Sequence, residues 1–171
     1  MKTPSIGPAR RSVLLILGAL AAAGGALAAA APGQRPPPPP SVYADYHPGF
    51  ADMMTMAVQP RHTKLGLAIR ARNWTYANYE AGELRGAFTR MARSIPSYEG
   101  EDTAGILAQI TPSLDGLRKA IQDKNAAKAD AGYAELTASC NQCHESQGRG
   151  YIVIRAPAAS SYPDQDFTAR R

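Results

Sequence analysis

The chain of 171 residues contains two cysteines, Cys140 and Cys143, and His144 directly follows the second. On a helix, offsets of three and four residues bring side chains onto one face, so two thiols and an imidazole would project together. Two thiols so spaced can form thioethers with the two vinyl groups of a haem while the imidazole coordinates the iron from the same side. C-x-x-C-H is the attachment signature of c-type haem. Other chemistries fit less well. A thioredoxin-like C-x-x-C needs a helix N-terminus in a βαβ setting to lower its thiol pKa, whereas "ASCNQCHES" lies deep in an Ala-rich helical pattern. Zinc needs four ligands, and beyond this cluster only His47 and His62 remain, at no recognised spacing. A disulfide across two intervening residues would constrain almost nothing. The expectation is one haem c, covalent at Cys140 and Cys143, with His144 as the proximal iron ligand.

The elements that must position these groups read as helices. Ala77, Ala81, Leu84, Phe88, Met91 and Ile95 recur at alternating steps of four and three. Leu107, Ile110, Leu114, Leu117 and Ile121 do the same, as do Ala129, Tyr133, Leu136, Cys140 and Cys143. An earlier segment, from about Pro48 to Arg72, is less regular: Phe50, Met54, Val58, Leu65 and Ile69 share a face that Arg61 interrupts. Pro60 should kink this first helix or restart it, and Pro112 poses the same problem for the third. Pro48 suits a first helical position, Asn73 and Asn125 suit N-caps, and Gly148 or Gly150 suits a stop. Short connections between sequential helices predict an all-α fold, an antiparallel up-down-up-down four-helix bundle whose last helix carries the haem attachment. "YIVIR" (Tyr151 to Arg155) then reads as an extended strap folded back over the bundle or as a loose apolar tail.

The flanks differ in composition. Residues 1–31 have Lys2, Arg10 and Arg11 ahead of an Ala-rich apolar run, the layout of a secretory signal peptide. Left uncleaved, the run would instead anchor the chain in a membrane. Residues 32–45 form a Pro-rich linker, the domain proper is expected over 46–155, and 156–171 reads as a polar, flexible tail. The formal charge of +5 overstates the basicity of the remainder, because removing the leader leaves sixteen basic against fourteen acidic residues, a net of +2. That balance offers no basic stripe for nucleic acid. No paired carboxylates and no nucleophile–base pair stand near the motif, so no enzyme activity is expected. Export implies a periplasmic location and an oxidising compartment, in which paired cysteines are bridged or consumed by a cofactor.

Only 27 residues follow His144, and none is Met or His, so the second axial ligand is expected from earlier in the chain. A late "CNQCH" closing a helical bundle resembles the cytochrome c′ and cytochrome c-556 family. The resemblance covers roughly residues 46 to 155 and rests on that one specific motif; "VQPRHTKLGLA" and "NWTYANYE" also look like exported bundle cytochromes of undefined role. It implies that a residue near the start of the first helix faces the iron's sixth position. Met53, Met54 and Met56 are the candidates there, and Met54 alone shares a face with Phe50, Val58 and Leu65. His62 is the rival ligand, about 12 Å further along a straight helix. Phe50, Val58, His62 and Tyr133 are expected in the haem pocket, with Arg61 paired to a haem propionate.

Two functions follow from these expectations. With His144 and Met54 as axial ligands the chain would be an exported electron-transfer cytochrome whose partners are other redox proteins. With Met54 merely packed against the porphyrin, the iron would be five-coordinate and the protein would bind or guard against nitric oxide or carbon monoxide. The resemblance further allows a homodimer through the first two helices.

Overall fold

The structure, a computed structural model, describes residues 47–169. The signal peptide and the Pro-rich linker expected at 1–31 and 32–45 lie outside the described residues. Within them the fold is all-α apart from one two-stranded ribbon, and no helix is long and apolar enough to cross a membrane.

The chain enters at α1 (Phe50–Met53), continues without a break through a π-helical segment, Met54–Val58, and proceeds as α2 (Gln59–Arg70). Pro48 is not the first helical residue. Gly49 is the N-cap, and the Asp52 carboxylate reaches back to accept from the Gly49 N–H at 3.0 Å, which starts the helix two residues later. Pro60 sits in the first turn of α2, where regular α-helix resumes after the π-helical segment, as a second start within the helix would have it. Its ring and missing N–H are incompatible with ordinary i→i−4 bonding, and the backbone answers by widening: the Gln59 N–H bonds to the Met54 carbonyl, five residues back.

Two tight corners are built alike. After α2, Arg72 adopts φ +56° and Asn73 caps α3 (Trp74–Ser94), its side chain accepting from the Tyr76 N–H. After α5 (Thr111–Gln122), Lys124 adopts φ +51° and Asn125 caps α6 (Ala126–Ser146), accepting from the Lys128 N–H. Between α3 and α5 the chain forms a hairpin of β1 (Ser97–Tyr98) and β2 (Glu101–Asp102), with Glu99 and Gly100 both at positive φ as a two-residue turn requires. The expected third helix is then split. Asp102 caps α4 (Thr103–Ala108), and α5 begins afresh with Pro112 in its first turn, where a missing N–H costs nothing.

Packing joins α2 to α3, α3 to α5, α5 to α6, and α6 back to α2. The core runs along this axis through Leu65, Leu84, Met91, Leu114, Leu117 and Leu136, all essentially inaccessible. Beyond α6, the segment 156–169 carries contacts that its aperiodic composition did not announce. Phe167 is buried, Arg70 donates to the Pro157 and Ala158 carbonyls, and Gln165 donates to the Tyr76 hydroxyl at 2.6 Å.

Candidate functional site: an apolar cleft at the end of α6

The last turns of α6, the first turns of the chain's opening helix and the β1–β2 hairpin meet around a partly open, predominantly apolar cleft. From α6 come Cys140, Cys143 and His144, and from the opening helix come Phe50, Met54 and Val58. Phe88 and Ile110 belong to the lining from α3 and the α4–α5 corner, and Ile152 and Ile154 from the strap. The spacing argument holds in three dimensions: three chemically active side chains of α6 open onto one space.

Both cysteines are free and buried. Burial pushes the Cys140 thiol up to about 11, with the neighbouring Cys143 adding to the shift, and burial also raises Cys143. Both are therefore neutral thiols at physiological pH, the opposite of the lowered pKa that a thiol–disulfide catalyst needs.

The C-terminus of α6 sets up the imidazole. Gly148 at φ +68° closes a Schellman motif, with Gly148 N–H on the Glu145 carbonyl and Arg149 N–H on the His144 carbonyl. The chain reverses and lays Tyr151–Arg155 back along α6, the strap arrangement. The His144 Nδ1 lies 2.9 Å from the Ile152 carbonyl, which can only accept, so Nδ1 carries the proton. Nε2 has no hydrogen-bond partner among the described residues, which leaves it available as a donor atom to a ligand in the cleft.

Met54 is the methionine of the lining. Met56 is largely exposed, Met91 is wholly buried in the core, and Met53 packs against the core's edge. Met54 opens the π-helical segment, a feature that sequence reading missed although Pro60 was its signal.

His62 also lines the cleft, but its ring is engaged on both sides. Nε2 is 2.9 Å from the Thr137 hydroxyl and Nδ1 is 3.2 Å from the Tyr133 hydroxyl, with the two rings stacked. Desolvation lowers its pKa to about 4, so the imidazole is neutral and structural rather than free to ligate. Tyr133 lies behind His62 rather than in the cleft lining; its hydroxyl also contacts the His62 carbonyl at 3.0 Å, and burial raises its pKa. Gly66 makes this possible, since a Cβ there would come within 2.5 Å of the Tyr133 ring.

Arg61 is not at the cleft. It faces α3, 3.5 Å from the Glu80 carboxylate and 3.7 Å from Glu83. Glu80 is almost fully buried, and an unpaired carboxylate there would be costly. That demand explains a cation on an otherwise apolar face. The guanidinium that does line the cleft is Arg149, bonded to the Tyr98 hydroxyl at 2.6 Å and to Glu99 at 2.5 Å. Sequence reading missed Arg149 and Tyr98 because neither lies on a helical stripe; the reversal at Gly148 and the hairpin bring them together.

Comparison with protein-family models, with curated proteins and with solved structures returned no match for this chain.

Proposed function

We propose that this chain is a c-type cytochrome that carries electrons, with haem held covalently by Cys140 and Cys143 and its iron ligated by His144 and Met54. One observation carries the reading: two neutral thiols and an imidazole with a free Nε2 line an apolar cleft from α6, and the Met54 thioether lines the same cleft from the opening helix. Two sulfur attachments suit a porphyrin's vinyl edge, and the apolar lining suits its faces. Bound there, the haem would supply one-electron chemistry, and a methionine ligand would favour its reduced state. The pairwise packing of α2, α3, α5 and α6 supports an antiparallel four-helix bundle as the scaffold.

The chain's own residues have separate tasks in this reading. Phe50, Val58 and Phe88 exclude water, Arg149 offers a cation at the rim, and His62 and Tyr133 brace the floor. Tyr151, Ile152 and Val153 are exposed apolar residues of the strap whose backbone runs beside the cleft, a surface on which a redox partner can dock. Export to the periplasm through the leader completes the proposal.

The five-coordinate alternative draws on the same apolar lining, which would suit a small uncharged gas if Met54 stayed off the iron. An absorption spectrum separates the two. Purified after expression with haem-maturation machinery, the protein should be low-spin with a methionine–iron charge-transfer band. A high-spin spectrum would transfer the function to gas binding, and a colourless protein would leave neither.

A further inference from the structure

The first of the two residues between the cysteines is not a spacer. Asn141 donates from Nδ2 to the Ile154 carbonyl at 3.0 Å and accepts on Oδ1 from the Ile154 N–H at 2.7 Å. A side-chain amide thus pairs with the strap as a neighbouring strand would. Two residues before Ile154, the carbonyl of Ile152 meets His144 Nδ1. In an extended segment, alternate residues turn their backbone groups to the same side, so the grip on Ile154 sets the register that puts Ile152 opposite the imidazole. The other end is held where the Ile152 N–H bonds to the Arg149 carbonyl at 2.8 Å.

We propose that Asn141 is a positioning residue for His144: by clamping the strap at Ile154 it keeps the Ile152 carbonyl on Nδ1, fixing the tautomer that frees Nε2 and strengthening that nitrogen as a ligand. Hydrogen bonds to the far nitrogen of a ligating histidine orient the ring and raise its basicity. A more basic imidazole stabilises ferric over ferrous iron, so the clamp lowers the reduction potential. Tyr151 and Val153 of the strap are exposed and Ile154 packs against the edge of the core, so the amide pair adds directional register to that packing. This inference rests on the haem reading above.

The test compares the haem-loaded wild type with Asn141→Leu, which is close in size and lacks both polar atoms. The variant should keep its covalent haem and helical circular dichroism. Its oxidised-to-reduced ratio at a fixed potential should fall about tenfold, equivalent to about 59 mV more positive for a one-electron couple. The His144 Nδ1–H should also exchange with solvent faster by nuclear magnetic resonance. Should the leucine variant not fold, Asn141→Ser keeps polarity while being too short to reach both strap groups, and the same shifts are expected. Haem-loaded proteins with equal potentials and equal Nδ1–H protection would overturn the clamp alone; a colourless wild type would overturn the haem reading with it.

Discussion

Three side chains illustrate how one residue type can serve different ends. Met54, Met56 and Met91 are cleft wall, surface and core respectively, and only burial and neighbours separate them. Met54→Leu keeps the volume and removes the sulfur, so it should convert a low-spin ferric spectrum to high-spin; an unchanged spectrum would move the sixth ligand elsewhere. His62 makes a prediction about pH. Its folded pKa of about 4 lies below the ordinary value of 6.5, so between those values the unfolded chain binds a proton that the folded chain refuses. Stability is complete above about pH 6.5 and is lost as pH falls towards 4, by about 3 kcal/mol at most. Denaturant titrations across that window should show the slope, and His62→Gln should flatten it. At this scale the motif was legible, since Cys140, Cys143 and His144 needed only helical spacing. Arg61 was not: its partner Glu80 lies on a different helix, and nothing local reveals which carboxylate will be buried.

The helices were legible where periodicity was strong and capping was local. Asn73 and Asn125 cap as their types suggest, and α3 and α6 follow their stripes. The proline-bearing helices were harder, because a proline states only that ordinary bonding must change. Pro60 and Pro112 each lie in the first turn of an α-helix, the first entered from a wide π-helical turn and the second from a break after α4. Two substitutions probe the helix junctions. Gly66→Ala should destabilise the fold by about 1–3 kcal/mol despite its better helix propensity, because the new methyl meets the Tyr133 ring. Lys124→Gly should stabilise it by about 1 kcal/mol, because a non-glycine residue at φ +51° carries left-handed strain that glycine lacks. Thermal or denaturant unfolding measures both, and opposite signs are the expected result.

Across the molecule, the cleft and the docked tail lie apart. The cleft lies where α6 ends and α1 begins, whereas Phe167 and Gln165 pack at the α2–α3 corner around Tyr76. Phe167→Ala should therefore lower stability by about 2 kcal/mol while leaving any haem spectrum untouched. A polar tail that returns to dock was hidden from sequence because a single aromatic residue makes no period. The central claim, that this fold exists to hold a porphyrin by two sulfur–carbon links, meets its most direct test in the mass of the matured polypeptide after acid denaturation. The account predicts one haem added and retained through denaturation, lost only when Cys140 and Cys143 are both replaced by alanine. A polypeptide of unmodified mass from cells equipped to attach haem would contradict it.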